Sequence, residues 1–108
     1  PTAASILEVR SVSEDIFLIG SGGIRNGIDV AKALRLGADF AGTALPVIRA
    51  VYEKGSEGVE RLLRKMISEL KIVIHLVGAR NIAELKKAPI VITGYLREWM
   101  EQRGLSLR

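Results

Sequence analysis

Two short runs of small residues carry most of the chemistry this sequence can offer. The first, GSGGIRNG at residues 20–27, puts glycines, a serine, an arginine and an asparagine after an apolar run, Ile16 to Ile19, and before a run with helical spacing. A helix N-terminus exposes unpaired N–H groups and carries roughly +0.5 of an elementary charge. Glycine lets the backbone approach a ligand and take positive φ, so Gly22 and Gly23 could cradle a phosphate. Arg25 could add a charge-assisted hydrogen bond. Gly27 and Asp29 begin the helix. Alone, the run is equally consistent with a tight turn. It matches neither the dinucleotide pattern GxGxxG nor the P-loop pattern GxxxxGK followed by Ser or Thr. The second run, Gly42-Thr43-Ala44-Leu45, again opens onto a helix.

The rest of the composition narrows the chemistry. There is no cysteine, which removes disulfides, thiolate metal sites and cysteine nucleophiles and suits a reducing cytoplasm. A single histidine, His75, rules out a multi-histidine metal site within the chain. It sits near a helix end with no partner in view and reads as a packing or capping residue rather than a general acid or base. The net charge is +4, but the basic residues run from Arg10 to Arg108 and are mixed with acids. The densest group, Arg61, Arg64 and Lys65, has Glu57, Glu60 and Glu69 around it and reads as a solvated helix face, not a nucleic-acid track. No apolar run approaches the ~18 residues that span a membrane. Tyr95 and Trp99 read as packing residues on a terminal helix, directed at a wall of the fold or a neighbouring subunit. Asp29 and Asp39 read as helix-start and strand-edge residues, since a carboxylate beside a phosphate is repelled. Lys32 is expected to face solvent.

These turns need strands and helices to hold them. The pattern predicts a helix over 2–12, with Ile6, Val9 and the alanines as its apolar face. It predicts a buried strand over 15–19, a helix over 27–36 stopped by Gly37, and a second strand over 38–42. A helix with Pro46 in its first turn follows and ends at Gly55. From Ser56, the residues Val59, Leu62, Leu63, Met66, Ile67, Leu70, Val73, Ile74 and Val77 form one apolar stripe on the longest helix. Asn81 and Glu84 resemble a capping box for a short helix through Lys87. The run APIVITG, 88–94, could be extended. Thr93 could cap a last helix bearing Leu96, Trp99 and Met100, stopped by Gly104. Two strands joined through a helix imply a parallel α/β unit. Two strands neither close a barrel nor make a stable sheet alone, and the chain opens on Pro1 directly into a helix. Both features lead us to expect a segment of a larger domain. In (β/α)₈ barrels the loops after strands seven and eight often form a phosphate site, which would give both small-residue turns one ligand.

The stretch SGGIRNGIDVAKALRLGADFAGTALP, residues 21–46, resembles the phosphate-binding end of the FMN-dependent TIM-barrel enzymes. These include 2-hydroxy acid oxidases, IMP dehydrogenases and type 2 isopentenyl-diphosphate isomerases. The likeness is greatest to the last, through PTAAS at the start, RNGIDVAKAL, ALP, and GARNIAELKKAPIVITGYLREWMEQRG at the end. A hydroxy acid oxidase should carry a His-x-x-Arg segment just before the glycine turn, and residues 1–19 hold no histidine. An IMP dehydrogenase needs a catalytic cysteine. The resemblance implies an α/β chain forming the C-terminal part of a TIM barrel, about strands seven and eight with flanking helices, residues 1–108 being one FMN-phosphate-binding segment. It implies interconversion of isopentenyl and dimethylallyl diphosphate in isoprenoid biosynthesis, in the cytoplasm, with FMN, Mg²⁺ and NADPH. It places Gly22, Gly23, Ile24 and Arg25 on the FMN phosphate with Ala44 and Leu45. It puts no catalytic residue, metal ligand or nicotinamide site in this stretch. The implied partners are a small diphosphate substrate and either a second copy or the remaining N-terminal part, with no nucleic acid and no membrane. The alternatives are another FMN- or phosphate-binding TIM-barrel oxidoreductase, or a phosphate-binding module without chemistry of its own.

Overall fold

A computed structural model describes residues 1–107. The chain runs α1 (Thr2–Val12), β1 (Ile19–Ser21), α2 (Gly27–Leu36), β2 (Phe40–Gly42), α3 (Leu45–Leu76), α4 (Ile82–Leu85) and α5 (Gly94–Arg103). The two strands pair in parallel, with Ile19 opposite Phe40, Gly20 opposite Ala41 and Ser21 opposite Gly42. The expected strand–helix–strand unit is therefore present.

Both strands are shorter than their apolar runs, and the first is displaced. It was expected at 15–19 and lies at Ile19–Ser21. Ahead of it, the Leu18 carbonyl accepts from the Asp39 and Phe40 N–H groups at 2.7 and 3.2 Å, while residues 16 and 17 enter no ladder with β2. Arg10 donates to the Ile16 carbonyl at 2.9 Å, and the Leu18 N–H donates to the Asp39 carboxylate at 2.9 Å. The second strand begins at Phe40 rather than Ala38, because the Ala38 N–H still belongs to the end of α2, donating to Ala33 at 3.1 Å. Nor are the strands buried on both faces. Gly20 turns toward Ile6, Ala33 and Ala38, whereas Ile19 is 55% and Phe40 62% exposed. The alternation of strand side chains sends these two away from the helices.

The core sits on the helical side of the sheet. Ile6 and Leu7 of α1, Ala33 and Leu36 of α2, Ile24 and Ala38 form one cluster, with Leu96 and Met100 of α5 packed on it. A second cluster joins Ala31 and Leu34 of α2 to Leu85 of α4, with Leu70, Val73 and Ile74 of α3 against it. In α1 the inward residues are Ala4, Ile6 and Leu7, while Val9 points out. Of the α3 stripe, Met66 is buried, and Leu63, Ile67 and Val77 are exposed.

Helix ends follow their capping residues. Asn26 accepts from the Asp29 N–H at 2.9 Å, and Asn81 accepts from the Glu84 N–H at 2.9 Å. At Gly37 the N–H returns to Ala33 and Leu34, closing α2. The expected pair of helices around Gly55 is present as two limbs of α3, separated where Lys54 and Gly55 leave helical angles, Gly55 with φ +59°. Residues 88–93 form no strand. Thr93 does precede α5, though without a side-chain cap bond.

Two polar clusters fix the helices around the sheet. Arg10 donates to the carbonyls of Gly37, Ser13, Glu14 and Ile16 and to Asp39. Lys86 reaches Asp39 at 3.4 Å. The Leu18 N–H, with Arg10 and Lys86, holds the Asp39 carboxyl below the usual range. Asp39 is thus the centre of a cluster, not merely a strand-edge residue. At the other side of α1, Glu8 accepts from the Trp99 indole N–H at 3.1 Å and from Arg103 at 2.8 Å. Trp99 therefore docks α5 on α1. Tyr95 stays 63% exposed beside it.

The depressed Asp39 carboxyl sets a pH dependence. A carboxyl with a lower folded than unfolded pKa adds stability above its unfolded value, about 3.9, and loses it as pH falls through the folded value. The melting temperature of Asp39→Asn should therefore lie below that of the parent at pH 7. The gap should close as both are titrated below about pH 4. A gap that stays constant to pH 2.5 would show that the carboxylate charge is not what Asp39 contributes.

Candidate phosphate site

The loop after β1 is held from both sides by hydroxyls. From α1, Thr2 donates to the carbonyls of Gly22 at 2.8 Å and Ser21 at 3.2 Å. From the loop after β2, Thr43 donates to the Ile24 carbonyl at 2.7 Å. The Thr43 bond joins the two small-residue turns directly. Between them lies a cavity of about 490 Å³, lined by Ser21, Gly22, Gly23, Ile24, Arg25, Thr43, Ala44, Leu45, Pro46 and Arg49. All six residues singled out in the sequence lie on it.

The polar groups on this cavity differ from expectation in one respect. The glycine turn was expected to offer the N-terminus of α2, but that terminus is largely capped by the chain. The Gly27 N–H donates to Glu69 of α3, the Asp29 N–H to Asn26, and the Arg25 N–H to Asp29. The helix that opens toward the cavity is α3. It starts at Leu45 without a side-chain cap, and Pro46 stands in its first turn. Its leading N–H groups therefore lack an intrahelical partner, and its positive end faces the space.

Gly22 and Gly23 have φ of +106° and +75°, a region that strains residues with a Cβ. A Cβ on Gly23 would meet no atom within 4 Å and would stand in open space. Arg25 is three-quarters exposed and leans on Asp29 at 3.3 Å. Arg49 supplies a second cation. The sequence contains the signal for it, since Arg49 follows Leu45 by four residues and so shares its helix face. Thr2 and Thr43 carried no such signal, because their partners lie about twenty positions away. His75 and Lys32 are exposed and lie off this cavity.

A glycine loop at positive φ, an uncapped helix start and two guanidinium groups around one space suit a phosphate. A family model for FMN-dependent dehydrogenases matches residues 1–92. The chain belongs to that family. Within it, the chain is 54% identical over 107 residues to an isopentenyl-diphosphate delta-isomerase of Sulfurisphaera tokodaii, covering 99% of this chain and 29% of the relative. The corresponding isomerase of Methanopyrus kandleri is 53% identical, with 99% and 30% covered. Among solved structures, lactate oxidase from Pediococcus acidilactici superposes with a TM-score of 0.77 at 32% identity, over 88% of this chain and 27% of that one. Flavocytochrome b2 gives 0.66 at 29% identity, over 89% and 28%. This FMN-dependent dehydrogenase family member spans under a third of the length of each protein named here.

Proposed function

We propose that the chain supplies the FMN phosphate-binding turns of a type 2 isopentenyl-diphosphate isomerase. In this reading β1 and β2 are strands seven and eight of a (β/α)₈ barrel, and residues 1–108 belong to that one domain. The observation that carries it is the single cavity shared by both turns, tied by Thr43 to Ile24. Gly22, Gly23 and Ile24 with Arg25 form one wall for the phosphate, and Ala44 and Leu45 at the start of α3 form the other. Bound there, FMN would supply the flavin chemistry that interconverts isopentenyl and dimethylallyl diphosphate. This chain's part is to anchor the cofactor and to orient its phosphate.

The described residues include no group of three or more His, Asp or Glu side chains able to hold a metal. We therefore assign none of them to Mg²⁺ or to NADPH, which belong to the activity only by resemblance. No helix among the described residues is long and apolar enough to cross a membrane. Action in the cytoplasm is part of the same proposal and rests on the cysteine-free composition. Association with a second copy, or with further chain, is suggested by the exposed Ile19 and Phe40 on the sheet and the exposed Phe17 against Phe40. Sedimentation of the intact protein measures it. Lactate oxidase and flavocytochrome b2 favour a second reading, another FMN-dependent oxidoreductase. The higher identity to the isomerases, 54% against 32%, puts it behind.

Turnover of isopentenyl diphosphate by the intact, FMN-loaded protein tests the activity. Flavin titration tests the site. Arg25→Ala should lower FMN affinity by about 1.5–3 kcal/mol, the loss of one charge-assisted hydrogen bond. An unchanged dissociation constant would remove Arg25 from the cradle and leave it as the partner of Asp29 alone.

A further inference from the structure

The bend in α3 frames a second cavity, of about 540 Å³, and its lining is cationic. Arg25, Arg49, Lys54, Arg61 and Lys65 line it, against one acid, Glu53. Arg25 is paired with Asp29. The other four make no hydrogen bond or ion pair among the described residues. Elsewhere the helices pair their surface charges one turn apart: Arg64 with Glu60, Arg80 with Glu84, Arg97 with Glu101. The basic group 61–65 therefore divides. Arg64 is taken by its acid, while Arg61 and Lys65, four residues apart on one face, turn to the cavity.

The convergence is built into the backbone. Lys54 and Gly55 break the helical path. Gly58 then lies so close to the first limb that a Cβ would come within 2.5 Å of the Ala50 carbonyl oxygen. This approach lets Arg49 on one limb and Arg61 on the other face the same space. Four unpaired cations gathered around one acid, Glu53, leave a net positive field that favours an incoming anion.

We propose that this elbow is a second anion site, beside the phosphate cradle, for a small molecule carrying two or more adjacent phosphate groups. Its volume lies in the range of about 300–1,000 Å³ found for small-molecule sites. One phosphate, carrying at most two negative charges, cannot neutralise the four free cations spread around it. Arg25, Pro46 and Arg49 line both cavities, so the second ligand would lie next to the first. Adjacent phosphates could come from a nucleotide or from an isoprenoid diphosphate, and the arms of the test separate them.

The test is calorimetric titration of the intact protein with inorganic pyrophosphate, a nucleoside triphosphate and isopentenyl diphosphate, at ionic strength about 0.15 M to screen loose surface attraction. Pyrophosphate should bind. Its affinity should fall at least ten-fold in the double variant Arg61→Gln, Lys65→Gln, while FMN affinity is kept. Gly23→Val should do the reverse, losing FMN and keeping pyrophosphate, so failure of the FMN reading would leave this arm intact. Both substituted side chains of the double variant are exposed and unpaired, and its circular dichroism should match the parent. Tighter binding of the triphosphate than of isopentenyl diphosphate, lost in the double variant, assigns a nucleotide; the opposite order assigns an isoprenoid. The proposal is overturned if pyrophosphate does not bind, if the double variant binds it as well as the parent, or if inorganic phosphate binds equally tightly. Displacement of pyrophosphate by a short RNA at lower concentration would also overturn it, in favour of a macromolecular partner.

Discussion

Gly23→Val is expected to strip the intact protein of its flavin. Gly23 has φ of +75°, lines the cavity between the two turns, and has nothing within 4 Å of the point where a Cβ would sit. An isopropyl group there would occupy the volume assigned to the phosphate. It would also press the loop away from the left-handed region that β-branched residues avoid. Losing two or more charge-assisted hydrogen bonds, at about 1.5–3 kcal/mol each, corresponds to at least about a hundred-fold weaker binding. Flavin absorbance of the purified protein and a fluorescence titration read the effect. The substitution meets no packed neighbour, so the far-ultraviolet dichroism should hold. A yellow variant with parental affinity would refute the phosphate assignment.

Gly27→Ala should act on stability instead. The first residue of α2 rests on the middle of α3. A Cβ on Gly27 would collide with the Met66 carbonyl oxygen and the Glu69 Cβ, and would come within 2.6 Å of the Leu70 nitrogen. Two of these three atoms are backbone of a long helix and cannot swing aside. The same approach lets the Gly27 N–H reach Glu69 at 3.1 Å. A methyl group should force the helices apart and break that bond. The cost should reach the upper end of overpacking, about 3 kcal/mol. At the roughly 2–4 °C per kcal/mol of a domain of 150–250 residues, that is a fall in melting temperature on the order of 6–12 °C. Gly23→Ala, which meets open space and carries only the cost of its positive φ, about 1–2 kcal/mol, is the control and should cost less. A melting temperature within a degree or two of the parent would show that α2 and α3 can separate without penalty.

The helices were legible because their signals are local. The bounds of α1 and α2 follow from apolar spacing and from caps such as Gly37, which lie within a few residues of what they cap. The strands were less so. Ile16, Phe17 and Leu18 have strand composition, but a ladder needs a partner, and only the register against Phe40–Gly42 decides which residues pair. Gly22, Gly23 and Arg25 stood out as a glycine turn before a helix, whereas Ile24, Ala44 and Leu45 were placed by the family resemblance; all six line one cavity. What closes the site was not readable. Thr2 and Thr43 act across 20 and 19 positions, and Glu69 caps Gly27 across 42. Nor could sequence show that α2 has its N-terminal donors taken up by Glu69 of α3 and by the adjoining Asn26. That depends on rotamers of Glu69 and Asn26, which either residue could have turned outward.

A three-residue parallel ladder has too few rungs to choose its own phase. A slip by one position would put Ile19 where Gly20 now lies against Ile6 and Ala33, and would move every later residue of the loop by one step. The choice is made outside the ladder. Asp39, one residue before β2, grips the N–H of Leu18, one residue before β1. Arg10 holds the Gly37 carbonyl on one approach and the Ile16 carbonyl on the other. The clamp works like an index pin at one end of a two-track slide, and the two small-residue turns ride at the far end. Where Ile24 meets Thr43 is thus decided by an arginine and a carboxylate that never touch the cavity. Lysine at position 10, with one ammonium in place of a five-donor fork, would leave that pin loose.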